Sequence, residues 1–233
     1  MFGRFKRRKA PEEQPSVVWP DGVFDDDDLV DRDGNHKGWS FDRVTLKGFQ
    51  YIAGHDDLLA IVMADLDVWE SYASKAMGSL YKRFKHMYQH RQEFRSLVFF
   101  RVRSVIGSVD DFFKILAPAP DWLHVTNLFL STPDIGPGLY IEHGFSTIVY
   151  AQRIGRNFWL NQNVTIGNSK GGLPTFGDDC QVRTGAIVVG GITIGNRVRI
   201  GANAFVDFDV PDDSLVVPQR SRIIPAKPRP PEE

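Results

Sequence analysis

His143 stands apart from the other titratable side chains. It falls between Glu142 and Gly144 inside an otherwise repetitive stretch, and histidine is the side-chain type that changes charge near neutral pH. A neutral imidazole can take the proton of a hydroxyl as that hydroxyl attacks a carbonyl. General-base acyl transfer is therefore the chemistry open to it. No serine or cysteine is placed to make a nucleophile–base pair with it, so nothing indicates an acyl-enzyme. Other reactive residues carry less. Cys180, the sole cysteine, occupies an apolar repeat position and reads as a small buried hydrophobe. His86 and His90 share a helix face at metal-ligand spacing but have no third ligand in the motif. Asp31-Arg32-Asp33-Gly34-Asn35 departs from a calcium loop, with His36 where the glycine belongs and Asp42 where the bidentate glutamate belongs. No metal is expected.

The element that must position His143 is written as a six-residue beat from Ile135 to about Val210. Ile154, Leu160 and Ile166 open successive steps, and Phe176, Val182, Val188, Ile194, Ile200 and Val206 resume them after a break. The residue four places on is also mostly apolar, as at Leu139, Phe145, Phe158, Val164, Cys180, Ala186, Ile192, Val198, Ala204 and Val210. That period fits neither a helix nor a single alternating strand. It fits a parallel β-solenoid whose coils each take three hexads. Gly136, Gly155, Gly167, Gly177, Gly195 and Gly201 follow opening residues, where a tight corner is expected to need backbone freedom.

Coil one opens at Ile141, Ile148 and Ile154 with one extra residue, and the next coils at Leu160, Val182 and Ile200. Stacking then sets His143 at the head of a column with Gln162, Thr184 and Ala202, with rungs about 4.8 Å apart. Four extra residues between Ile166 and Phe176 predict that Asn168 to Leu173 leaves the wall as a loop.

Before the solenoid, apolar residues recur at helical spacing. Leu58, Leu59, Val62, Met63, Leu66 and Trp69 form one stripe, Met77, Leu80, Tyr81, Phe84 and Met87 another, and Leu97, Val98, Phe100, Val102, Val105 and Ile106 a third. The expected organisation is a flexible charged tail over 1–44, a helical segment over 45–120, the solenoid over 121–210, and a C-terminal cap and tail over 211–233. Twenty-eight basic against 29 acidic residues give a net charge of −1, which does not suggest a nucleic-acid partner. The basic start leads into Pro11 and Glu12 rather than an apolar run, so neither a secretory signal nor a membrane span is expected and cytoplasmic residence follows.

Over roughly residues 92–225 the sequence resembles the serine acetyltransferase branch of the hexapeptide acyltransferases and the related polysaccharide O-acetyltransferases. The resemblance is carried by Glu93 to Leu97, by Ile135-Gly136-Pro137-Gly138-Leu139-Tyr140-Ile141-Glu142-His143-Gly144, by Gln162 to Gly167, and by Ile194 to Ala202. It implies a left-handed parallel β-helix, His143 as catalytic base, and direct transfer from acetyl-CoA without a metal. It also implies a homotrimer that holds the coenzyme between subunits, with pairing of trimers left open. Gly167, Thr184, Gly185, Arg199 and Ala202 match coenzyme-contact positions, and Glu142 matches an acidic position that meets a substrate amine.

Two departures bear on the acceptor. Leu128 stands where serine acetyltransferases carry the aspartate that orients the histidine, which leaves Asn127 as the neighbouring candidate. The coil-two loop presents Gly172 and Leu173 in place of an Arg-His pair, with Lys170 the remaining cation. The pattern favours an O-acetyltransferase acting on a sugar or glycan-precursor hydroxyl, with serine O-acetylation as the alternative and a catalytically silent trimeric scaffold as a further one.

Overall fold

A computed structural model describes residues 41–72, 77–116, 127–221 and 223. The acidic run Asp25 to Asp28, the calcium-like segment up to residue 40, the proline break at Pro118 and Pro120, and Pro230 to Glu233 lie outside the described residues. Among the described residues five helices come first: α1 (Phe41–Ala53), α2 (Asp56–Tyr72), α3 (Leu80–His90), α4 (Gln92–Ile106) and α5 (Asp110–Leu116). Each stripe turns inward, burying Leu58, Val62, Leu66 and Trp69 from α2, Leu80, Tyr81, Phe84 and Met87 from α3, and Leu97, Val98, Phe100 and Val102 from α4. Ser79 caps α3 by accepting a hydrogen bond from the Lys82 amide at 3.2 Å. Met77, expected in that stripe, precedes the cap and is exposed, and Met63 and Val105, expected in the other two stripes, are exposed as well. The helical segment begins at Phe41, ahead of its expected boundary.

The solenoid follows as thirteen short strands in three parallel sheets among the described residues. The first joins β1 (Leu128–Leu130), β3 (Thr147–Val149), β6 (Thr165–Gly167), β9 (Ile187–Val189) and β12 (Phe205–Val206). The second joins β4 (Arg153–Ile154), β7 (Thr175–Phe176) and β10 (Thr193–Ile194). The third joins β2 (Tyr140–Glu142), β5 (Trp159–Asn161), β8 (Gln181–Val182), β11 (Arg199–Ile200) and β13 (Leu215–Val216). We call them faces A, B and C. Ile141, Leu160, Val182, Ile200 and Val216 stack in one register on face C. The rungs thus run past Val210, and the stretch after it contributes a strand as well as an end. The apolar beat is the core, since Ile154, Leu160, Ile166, Phe176, Val182, Val188 and Val206 are all fully buried.

Two expectations about the corners change. Ile148 points outward at 47% exposure while Val149 is 1% exposed, because Val149, not Ile148, pairs with the inward Ile166. The glycines after opening residues, Gly167 excepted, serve close approach rather than left-handed backbone. A Cβ on Gly177 would lie 2.6 Å from Asn196 Oδ1 and 2.9 Å from the Asn196 amide, because Asn196 Oδ1 accepts from the Asp178 amide at that corner. The left-handed positions go instead to Asn157, Asn163, Asp179, Arg197 and Asn203, mostly residue types that tolerate that region.

A buried ion pair joins helices to solenoid. Arg101 and Asp65 are each 1% exposed in their side chains, with Arg101 Nε 2.7 Å from Asp65 Oδ2. Arg101 also donates to the carbonyls of Ile135 and Gly136, and Asp65 Oδ1 accepts from the amides of Gly138 and Leu139. Burial pushes the Asp65 carboxyl up, while Arg101 and those two amides pull it back. Trp69 Nε1 adds a 2.8 Å bond to the Leu139 carbonyl. The segment leading into the His143 strand is therefore fixed by the helical segment.

Candidate active site

His143 sits at the corner between faces C and A. Glu142 is still in register with Asn161, but the next backbone bonds skip His143. The Asn163 amide donates to the Phe145 carbonyl at 3.1 Å, Gly185 to Gln162 at 3.2 Å, and Asn203 to Thr184 at 2.9 Å. Phe145, not His143, therefore heads the column of Gln162, Thr184 and Ala202. His143 and Gly144 are a two-residue insertion that pushes the corner outward. The single extra residue expected for coil one is the net of this insertion and a shorter step from Val149 to Ile154.

The insertion explains the local geometry. Gly144 turns inward, where a Cβ would lie 2.7 Å from Ile141 Cγ2 and 3.2 Å from Leu128 Cδ2. Phe145, expected inside, is displaced to the surface at 49% exposure. His143 takes a left-handed conformation with φ 56°, as does Ser146 at 53°. Histidine is enriched among residues that accept this region, and such conformations persist where surrounding packing over-determines them. The imidazole is exposed and makes no hydrogen bond to the described residues.

The neighbours fall into groups. Glu142 Oε2 accepts from Asn161 Nδ2 at 3.0 Å, so the acidic side chain is held on face C beside the base. Asn127, at φ 72°, uses its carbonyl to accept from the Thr147 amide at 2.9 Å, and its side chain makes no hydrogen bond to His143. Leu128 packs its methyl groups toward Gly144, so the wall behind the histidine is apolar. Thr184, Gly185 and Ala202 line the same corner below Gln162, whose Oε1 is buried without a partner. Arg199 lies on face C, on the wall of a cavity of about 500 Å³ shared with Gln181, Arg197 and Ser214. Gly167 and Lys170 lie elsewhere, because β6 ends and the loop leaves at the corner between faces A and B. That loop closes through a Ser169–Gly172 bridge.

Sequence reasoning missed a feature of face C. The Arg183 guanidinium lies 3.7 Å from the centroid of Trp159, with one nitrogen 2.9 Å from Gln181 Oε1. Trp159 in turn stacks with Tyr140 at 6.3 Å. The signal was present as alternate outward positions on neighbouring rungs, but the diagonal reach of arginine from its own rung to the one above is not encoded in spacing.

Other candidates settle quietly. His90 Nδ1 is 2.8 Å from the His86 carbonyl oxygen, and no group of three metal-binding side chains exists among the described residues. Burial pushes the Cys180 thiol up to about 11. No described helix is long and apolar enough to cross a membrane.

Residues 174–207 match the family model for the bacterial transferase hexapeptide (six repeats). A serine acetyltransferase of Bacillus subtilis is 40% identical over 95 residues, which are 39% of this chain and 44% of that protein. The resemblance is to serine acetyltransferases. A Helicobacter pylori serine acetyltransferase is 39% identical over a stretch of the same length, covering 39% of this chain and 56% of that protein. The chain thus spans about half the length of these serine acetyltransferases. The solved serine acetyltransferase of Neisseria gonorrhoeae in complex with serine superposes with a TM-score of 0.57 at 23% identity, covering 78% of this chain and 73% of that one. A serine acetyltransferase complex with CoA gives 0.54 at 17%, covering 72% and 70%. The fold is the left-handed parallel β-helix of the serine acetyltransferases, with an N-terminal helical segment.

Proposed function

We propose that this chain is an acetyl-CoA-dependent serine O-acetyltransferase with His143 as general base. The observation that carries the reading is the outward insertion at His143, an exposed imidazole on the widened corner of a serine acetyltransferase-like solenoid. In the proposed step an imidazole nitrogen takes the hydroxyl proton as the oxygen bonds to the acetyl carbonyl carbon. The carbon–sulfur bond then breaks, and the departing thiolate takes the proton back.

The corner below suits a pantetheine arm. Thr184, Gly185 and Ala202 are small, and three rung spacings give about 14 Å of track. Arg199, with no acidic partner among the described residues, would meet phosphate. Asn127 is kept as the candidate to orient His143, which would require its free amide to turn toward the ring. Glu142 would face the substrate amine. Lys170 and Gly167 would serve a site built with a second copy, since they border the far edge of face A.

The same face supports the homotrimer as part of this reading. Phe129, Ile148, Thr165, Ile187 and Phe205 form one outward ladder, and all but Thr165 are exposed large hydrophobics. This row lies between the His143 corner and the Lys170 loop, so another copy seated on it would bring the two together. Pairing of trimers and cytoplasmic residence complete the proposal.

The acceptor moves from the sugar hydroxyl expected from sequence to L-serine, because the relatives this chain is similar to carry that activity in their names. The lost Arg-His pair still favours the sugar reading, so both acceptors belong in the test. Release of free CoA from acetyl-CoA is followed with L-serine, nucleotide sugars and oligosaccharides. Serine-dependent release, reduced about 10²- to 10⁴-fold by His143→Ala without change in oligomeric state, is expected. Absence of release with every acceptor in the panel, or undiminished release by His143→Ala, overturns the reading, and the first of these results leaves the scaffold.

A further inference from the structure

We propose that Arg183 grips the carboxylate of the acceptor, a specificity role that rests on the O-acetyltransferase reading above. The solenoid arginines divide sharply. Arg153 pairs with Asp134, Arg156 with Asp178, and Arg197 with Asp213. Arg183 and Arg199 have no acidic partner among the described residues, and of the two it is Arg183 that a ring and a neutral acceptor hold in place. Its guanidinium stacks on the buried Trp159 ring, and Gln181 pins one nitrogen. Stacking and a single neutral acceptor fix the plane without neutralising the charge, and because Gln181 takes only one hydrogen of Nη2, one bidentate edge of the guanidinium, Nε with Nη2 or Nη1 with Nη2, keeps both its donors. An arginine held only for packing would not need its fork presented uncompensated.

Its place on face C supplies the ligand's chemistry. Glu142, Asn161 and Arg183 are outward neighbours on consecutive rungs, and the Glu142–Asn161 bond fixes the acid at one end of the strip. The backbones of Glu142 and Arg183 are two rungs apart, roughly 10 Å, and the arginine reaches back one rung to Trp159. An acid and a base facing one short gap complement a molecule carrying both an amine and a carboxylate. A phosphate dianion would meet Glu142 unfavourably. Glu142, at one end of the strip, immediately precedes His143 in the chain. Arg183 would thus supply from the wall the carboxylate contact that Gly172 and Leu173 cannot supply from the loop.

The test compares L-serine with L-serinamide, which lacks the carboxylate, for the wild type, Arg183→Gln and Arg183→Lys, with thermal melts to verify folding. Arg183→Gln is expected to lower kcat/KM for L-serine about 30-fold more than for L-serinamide, mostly through KM, as loss of a charged recognition partner does. Arg183→Lys should recover part of that selectivity. An equal loss for both acceptors, or no loss for either, overturns the proposal. If the wild type turns over neither compound, the serine reading fails separately, and calorimetry with L-serine and D-glycerate then decides. Weaker binding of both by Arg183→Gln supports the carboxylate grip, and unchanged binding overturns it.

Discussion

Replacing Arg101 by Leu should show how firmly the helical segment holds the His143 strand. The substitution removes two bonds to Asp65 and the donors to the carbonyls of Ile135 and Gly136. Breaking one side of a buried pair costs about 3 to 5 kcal/mol, because the remaining charge stays buried and unpaired. Two orphaned carbonyls alone would cost about 2 kcal/mol. Adding Asp65→Asn to the same protein removes the stranded charge while keeping an oxygen that can accept from the Gly138 and Leu139 amides. The double variant should therefore be about 2 kcal/mol more stable than Arg101→Leu alone. Urea unfolding followed by Trp69 fluorescence and circular dichroism gives both values. The sign with pH is also fixed. Burial already raises the Asp65 carboxyl, and losing Arg101 raises it further, so the folded state binds the proton more tightly than the unfolded chain. Stability of Arg101→Leu should be greatest toward the ordinary carboxylate range near pH 4 and fall as pH rises. A double variant no more stable than Arg101→Leu, together with a flat pH response, would refute the assignment of the penalty to a stranded Asp65 charge.

Gly177→Ala should destabilise by about 1 to 3 kcal/mol, the usual range for overpacking, because its Cβ would meet Asn196; a thermal melt within error of wild type would contradict the close-approach reading. Cys180, with its thiol pushed up to about 11 by burial, should resist iodoacetamide at pH 8 in the native protein and react readily in urea, as mass spectrometry can follow. Phe205→Glu places a charge on the exposed ladder of face A and should shift the assembly to monomers by sedimentation, leaving the circular dichroism spectrum unchanged. A trimer that survives this change argues that another surface joins the copies.

The solenoid was legible because its apolar residues answer to a single narrow core. Leu160, Ile166, Val182 and Val188 could be assigned to rungs by counting alone. Counting failed at coil one, where the insertion of His143 and Gly144 and the shortened return to Ile154 nearly cancel. The residual of one residue hid two opposite changes, so Ile148 and Phe145 were set inside when hydrogen-bond register turns them out. The glycines were found for a reason that proved wrong. Sequence shows where a side chain is missing, not whether φ or an approaching rung forbids it. His143 and Glu142 were open to proposal through type and resemblance. Arg183 was not, because its meaning depends on Trp159 one rung away and on the absence of an acid nearby.

The corner that carries His143 separates two kinds of change available to this architecture. Strand register is reset within the same coil, since Val149 pairs with Ile166 just as Ile166 pairs with Val188. An added or removed corner residue is thus absorbed before the next rung is laid down. Reactive groups can be advanced, withdrawn or exchanged at a corner while the stack beneath continues in phase. The fold behaves as a rack with interchangeable edges, and a change of acceptor needs only a local rewrite of one edge and its adjoining wall.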